Sequence, residues 1–282
     1  MDVILMDGPL GTELLARGVP TPLPGWSAHA LLERPEIIAA IHHDYAEAGA
    51  SVHTANTFRT KSRTFPEMWK DLARLAVKLA RSSVPSHHRV AGSIAPLEDC
   101  YRPDLSPADP APEHRELAEL LAAAGVDLLL CETFPHPGEA LIAVEESVRT
   151  GVETWVSFTP GPDGSLLTPR EIGLAARKAA DLGARAALVN CLPVERVSEY
   201  LSALSSSLQE GGHFLSIGAY ANSGSDEGSM GFLPRELPPA SYARCAREWM
   251  TAGATILGGC CGTRPAHIEA LGRLLVEEED RG

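Results

Sequence analysis

Cys260 and Cys261 stand side by side in the run GGCCGT, and Cys191 follows Asn190 far upstream. Successive side chains of a strand point to opposite faces, so two neighbouring cysteines can share one ion only where the backbone turns. Gly258, Gly259 and Gly262 frame the pair and supply that freedom. Three thiolates suit Zn²⁺ in tetrahedral geometry and leave its fourth position to water or substrate. Such an ion can hold an incoming thiol as a thiolate near neutral pH, where a free thiol of pKa about 8.5 is mostly protonated. The competing readings are a buried small-residue pair or a vicinal disulfide for Cys260 and Cys261, and simple packing for Cys191. Cys100, Cys131 and Cys245 read as inert thiols, with Cys131 pointing away from Glu132 into the wall of the fold.

Two carboxylates stand at comparable places. Asp7 follows the apolar run VILM, and Glu132 lies flush with the end of VDLLLCETF, where a carboxylate is costly unless it is used. Both suit the ammonium end of an amino acid whose sulfur reaches the metal, with backbone N–H groups around Gly8 and the hydroxyl of Thr57 as donors to its carboxylate. The alternative is that Asp7 caps a helix and Glu132 pairs with a basic neighbour. Aromatic residues make up only 5% of the chain, so Trp26, Phe58 and Tyr220 are the few that can hold an onium methyl group by cation–π attraction, unless they simply pack. The pairs His42-His43 and His87-His88 have no zinc-ligand spacing with a third group.

These residues must be brought together by the elements between them. Short β-branched or apolar runs alternate with longer amphipathic segments, the pattern of parallel strands with helical crossovers. The expected strands are Val3 to Met6, Ser51 to Ala55, Val90 to Ile94, Val126 to Cys131, Thr154 to Phe158, Ala186 to Val189, Phe214 to Ala219 and Thr255 to Leu257. Helices follow them, several opening on a proline (Pro35, Pro169, Pro265) and several stopping at a glycine (Gly49, Gly125, Gly183, Gly253). Eight such units in 282 residues predict a single-domain α/β fold, a (β/α)8 TIM barrel over residues 1–282, ahead of an open doubly wound sheet. In a barrel the strand ends converge on one face, which gathers Asp7, Asn56, Thr57, Glu132, Asn190, Cys191, Tyr220, Asn222, Cys260 and Cys261. The stretches Arg102 to Pro112 and Ser223 to Pro239 read as long loops on that rim.

Bulk properties exclude other classes. A net charge of −13 with no basic cluster argues against nucleic-acid binding. No apolar stretch reaches the length of a membrane span, and the N-terminus MDVILMDGPLGTELL lacks a basic export leader, so a cytoplasmic address is expected. Six cysteines in such a chain read as free thiols or ligands rather than a disulfide framework.

The blocks DGPLGTEL, HTANTF, CETFP, NC, YANSG and GGCCGT occur in one order along nearly the whole chain, and in this the sequence resembles the homocysteine S-methyltransferase family. The resemblance implies a homocysteine-binding (β/α)8 barrel in which Cys191, Cys260 and Cys261 bind Zn²⁺. It further implies that Asp7 and Glu132 hold the amino group of homocysteine and that Gly8 and Thr57 lie near its carboxylate, and Asn222 is counted among the substrate contacts. The implied reaction is in-line transfer of a methyl group from a small sulfonium or ammonium donor, S-methylmethionine favoured and S-adenosylmethionine or betaine possible, giving methionine. No residue is then catalytic beyond the zinc-activated substrate thiolate. The chain stops soon after its eighth crossover helix, without the C-terminal extension of the betaine-dependent branch and without a cobalamin or folate domain, so a stand-alone monomer or small homo-oligomer is expected. The rival functions are a zinc hydrolase, a non-catalytic thiol- or metal-binding barrel, and a methyltransferase acting on another thiol or a selenol.

Overall fold

The computed structural model describes residues 3–223 and 237–280. Its strands are β1 (Ile4–Leu5), β2 (Val52–Ala55), β3 (Arg89–Ile94), β4 (Leu128–Phe134), β5 (Glu153–Phe158), β6 (Ala186–Pro193), β7 (Ser216–Asn222) and β8 (Ala254–Gly259). They form one sheet in the order β1-β8-β7-β6-β5-β4-β3-β2, every neighbouring pair parallel. A bridge between Met6 and Val52 joins its two ends, backed by Ser51 N–H to the Leu5 carbonyl at 2.8 Å and Asp7 N–H to the Val52 carbonyl at 2.9 Å. The sheet is thereby closed into a (β/α)8 barrel with no free edge.

The helices are α1 (Leu10–Ala16), α2 (Ala30–Glu33), α3 (Pro35–Glu47), α4 (Trp69–Ser83), α5 (Ala111–Ala123), α6 (Pro137–Val148), α7 (Pro169–Leu182), α8 (Val197–Glu210), α9 (Pro239–Thr251) and α10 (Pro265–Glu279). The crossover helix α7 shows how such a unit is specified. Thr168 and Glu171 form a capping box, Pro169 fills the first turn, and Gly183 takes φ +107° to end the helix and feed β6. Among the described residues, no helix is long and apolar enough to cross a membrane.

Period-two alternation divides the core. Met6, Val52, Leu128, Leu130, Trp155, Leu188 and Ile256 fill the barrel interior, while Leu5, Val90, Leu129, Val156, Val189 and Leu257 pack against the helices. The expected strands and crossover helices all form, and four strands run further than the apolar pattern, among them β7, which continues to Asn222 and so contains Tyr220, and β8, which continues to Gly259. β4 continues to Phe134 and β6 to Pro193, so Glu132, Asn190 and Cys191 lie inside strands rather than after them. Most of the expected rim loop from Ser223 to Pro239 lies outside the described residues.

The outer layer also contains histidine. His42 on α3 meets His53 on β2, both fully buried, with ring centroids 6.5 Å apart. Neither ring nitrogen of His42 has a hydrogen-bond partner, nor does Nδ1 of His53, whose Nε2 faces His88 Nδ1 at 3.1 Å. Burial pushes His42 down to about 4. The unfolded imidazole takes up its proton near pH 6.5, so this group's contribution is intact above that value and is lost as pH falls toward 4. His42→Leu should therefore gain stability relative to the wild type by about 2 kcal/mol between pH 7 and pH 5. Urea unfolding at the two pH values measures it, and an unchanged difference would show that His42 is protonated in the fold.

Candidate metal centre and substrate cavity

In the ring β6 and β8 are separated only by β7, which brings Cys191 near the cysteine pair. The parallel register of β6 breaks between Asn190 and Pro193, and Cys191 there takes φ +55°. A non-glycine residue held in that left-handed region is strained, and here the turn sets the direction of its sulfur. Cys260 and Cys261 follow the last residue of β8 in a tight turn. Its bonds run from Cys260 N–H to the Ala221 carbonyl at 2.8 Å, from Ser223 N–H to the Cys261 carbonyl at 3.0 Å, and from Gly262 N–H to Thr12 Oγ1 at 3.1 Å.

Of the three framing glycines only Gly262, at φ +83°, supplies unusual backbone freedom. The other two are small for want of room. A Cβ on Gly258 would fall 2.9 Å from Met6 Cβ, and one on Gly259 would fall 2.2 Å from Thr263 Oγ1.

The three sulfur atoms all lie within 4.8 Å of one another, and Cys191 Sγ is 2.7 Å from Cys260 Sγ. All three residues are buried. Hydrogen bonds from the neighbouring thiols hold Cys260 well below the ordinary thiol range, and the same contact pushes Cys191 well above it. A divalent ion held among the three sulfurs would replace their protons. An all-sulfur set of three fits Zn²⁺.

Beside the sulfurs lies a cavity of about 400 Å³, bounded also by Asp7, Gly8, Trp26, Phe58, Glu132 and Tyr220. Glu132 accepts hydrogen bonds from Ser93 Oγ and, at 3.1 Å, from Tyr220 Oη. Burial nevertheless pushes its carboxyl up to about 7. Thr133, next in the chain, takes φ +61° and is pinned by Asn190, whose Oδ1 accepts from Thr133 N–H at 3.2 Å and whose Nδ2 donates to Thr133 Oγ1 at 2.8 Å. Asn190 therefore steadies the turn beside Glu132 while its own neighbour is Cys191.

Asp7 accepts from Thr54 N–H at 2.8 Å and Thr54 Oγ1 at 3.1 Å, yet burial pushes it up to about 8. His42 and His53 each bring a ring nitrogen within 4.8 Å of an Asp7 oxygen. Both imidazoles are held neutral, pushed down to about 4 and about 3 chiefly by burial. Asp7 therefore has no cationic partner in the protein among the described residues, and an arriving cation would favour its ionised form.

Asp7, Gly8, Glu132 and the three cysteines meet at one cavity. Gly8 can approach because any side chain there would collide with Tyr45, whose Oη would lie 2.6 Å from its Cβ. Thr57 and Asn222 are not among the residues that line the cavity. Thr57 is fully buried and its hydroxyl donates to the Ser93 carbonyl at 2.8 Å, while Asn222 Oδ1 is buried without a partner among the described residues. Thr54 and Ser93 are polar residues within apolar strands that the pattern does not single out, and Arg59 on the cavity wall is not singled out either. Cys131 points outward, its sulfur 3.3 Å from Ser147 Oγ.

Residues 4–275 match the family model described as homocysteine S-methyltransferase. A homocysteine S-methyltransferase of Escherichia coli is 32% identical over 96% of this chain and 94% of its own length. One from Zea mays is 30% identical over 96% and 94%. An S-methylmethionine–homocysteine S-methyltransferase of Pongo abelii is 29% identical over 98% of this chain and 79% of its own. Among solved structures, the metallated form of the Escherichia coli homocysteine methyltransferase superposes with a TM-score of 0.78 at 28% identity, covering 97% of this chain and 96% of that one.

Proposed function

Because the chain belongs to the homocysteine S-methyltransferase family, enzymes that convert homocysteine to methionine at a metal site, we propose that Cys191, Cys260 and Cys261 hold its zinc and that its donor is a small onium cation, S-methylmethionine favoured. The observation that carries this reading is the convergence of three buried sulfurs with two carboxylates, Asp7 and Glu132, neither of which has a cationic partner among the described residues. An amino acid with a thiol two carbons beyond its α-carbon supplies both missing parts, an ammonium for the carboxylates and a sulfur for the metal. The barrel as a whole, residues 1–282, is then the homocysteine-binding domain.

Cys191, Cys260 and Cys261 would hold the zinc, which would bind the incoming thiol and keep it deprotonated near neutral pH. The chain's own residues do the rest. Asp7 and Glu132 receive the ammonium group, Gly8 offers backbone N–H to the carboxylate, and Thr57 and Asn222 support the residues that line the cavity. Trp26 and Phe58, whose ring centroids stand 6.0 Å apart edge to face, offer a wall to the onium methyl groups. The acceptor sulfur takes the methyl carbon as the donor's bond to it breaks, and the donor leaves neutral with the electron pair. Catalysis of this kind rests on alignment and charge placement. The relative from Pongo abelii, named for S-methylmethionine, supports that donor over betaine.

The test is methionine formation by zinc-loaded protein at fixed homocysteine, with S-methylmethionine, S-adenosylmethionine and betaine supplied in turn. S-methylmethionine should give the highest kcat/KM, and a higher value with betaine overturns the donor assignment. Glu132→Gln, which can keep the bonds to Ser93 and Tyr220, should raise the KM for homocysteine about 10- to 100-fold through loss of a charge-assisted hydrogen bond. Zinc content should stay at the wild-type level; an unchanged KM removes Glu132 from the amino-group site.

A further inference from the structure

Among the described residues, four ionisable side chains besides the cysteines line the cavity, and Arg59 is the one base beside Asp7, Asp99 and Glu132. Its guanidinium is poorly satisfied. Among the described residues Nη1 reaches only the Glu98 carbonyl at 3.4 Å, and Nε is buried with no partner. The Glu98 carboxylate is taken by Arg63, which also holds Glu113, and among the described residues no carboxylate lies within ion-pair distance of Arg59. A guanidinium that borders a cavity without a carboxylate is a receptor for one, because its planar fork matches that group and its charge is otherwise uncompensated.

The place of Arg59 decides whose carboxylate that is. Its Cζ lies 5.4 Å from the centroid of Phe58, and Lys61 Nζ lies 5.8 Å from the same ring. Phe58 is one of the two aromatic walls proposed for the onium group. A bare cation resting there would be repelled by the guanidinium next to it, whereas a cation that also carries a carboxylate would be drawn in by both surfaces. Discrimination of this sort needs a repulsive element against the wrong ligand as well as an attractive one for the right ligand.

Resting on the proposed onium-donor reading, we propose that Arg59 anchors the carboxylate of the methyl donor and thereby restricts the enzyme to onium compounds that are also carboxylates. The acceptor's carboxylate stays with the Gly8 backbone, near Asp7 and the sulfurs. Arg59 thus separates two zwitterions in one cavity, each with its own anion site.

The experiment compares two donors in the zinc-loaded enzyme. One is S-methylmethionine, and the other is its decarboxylated analogue, an aminopropyl dimethylsulfonium with the same sulfonium and amine. Wild-type kcat/KM should favour S-methylmethionine by about 30-fold or more, the value of one charge-assisted bidentate contact. In Arg59→Gln that ratio should fall to within about 3-fold, with the loss in the donor's KM, and Arg59→Lys should recover part of it. An unchanged ratio in Arg59→Gln overturns the proposal, and so does a loss that appears instead in the KM for homocysteine. Wild-type protein that makes no methionine from any onium donor would overturn the underlying reading itself, a result distinct from either of these.

Discussion

Cys260→Ser should emerge from purification without stoichiometric zinc and should form methionine at least about 10³-fold more slowly than the wild type. Two losses combine in that figure. Without the metal the acceptor returns to a thiol pKa of about 8.5, leaving only a few per cent of thiolate at pH 7. The acceptor sulfur also loses its fixed position, and misalignment of reacting atoms alone costs about 10²-fold. Serine cannot substitute, because its hydroxyl is not ionised by zinc as a thiol is. Moreover, Cys260 is the sulfur whose pKa is lowered by hydrogen bonds from its neighbours. Cys245, half-buried on α9, is the control: its change to serine should leave zinc and rate unaltered. Metal analysis by mass spectrometry with a methionine assay decides the matter, and a Cys260→Ser protein that keeps both zinc and activity removes the metal from the reaction.

The framework of this site was legible in the residues because its barrel is made of repeated local signals. Apolar runs, proline starts and glycine stops recur unit by unit, and the structure follows them closely. What escaped were features that depend on distant partners. The apolar runs of β4 and β6 end at Cys131 and Val189, but the ladders continue through Glu132 and Asn190 because a polar residue can occupy a strand once another strand satisfies it. The left-handed turns at Thr133 and Cys191 have no marker, since neither residue is a glycine. The expectation that Gly258 and Gly259 provide backbone freedom put the right residues to the wrong use: they make room for Met6 and Thr263. The short helix α1 is also held from afar, through Glu13, which pairs with Arg264 near the opposite end of the chain. Arg59 looks like an ordinary surface arginine until the cavity beside it is known.

Asp7→Asn should separate binding from stability, raising one cost while removing another. The asparagine can keep both contacts to Thr54, accepting from the backbone N–H and donating to the hydroxyl. It has no charge to offer an ammonium group, so the KM for homocysteine should rise about 10²- to 10³-fold, as when one member of a buried ion pair is deleted. The ligand-free protein should behave in the opposite way. Asp7 titrates near its ordinary value when unfolded and at about 8 when folded, so the folded chain retains its proton between those values. Its contribution to stability is present below about pH 4 and is lost as pH climbs toward 8. Removing the titration should make the variant more stable than the wild type at pH 8, by on the order of 4 kcal/mol. Methionine is the informative ligand for the pH dependence, because its thioether has no proton to lose. Wild-type affinity for it should rise toward pH 8 as Asp7 ionises, and the variant should keep only the earlier rise belonging to Glu132, at about 7. If calorimetry finds the same pH profile in both proteins, Asp7 is already charged in the empty cavity, and some group other than the incoming ammonium must balance it.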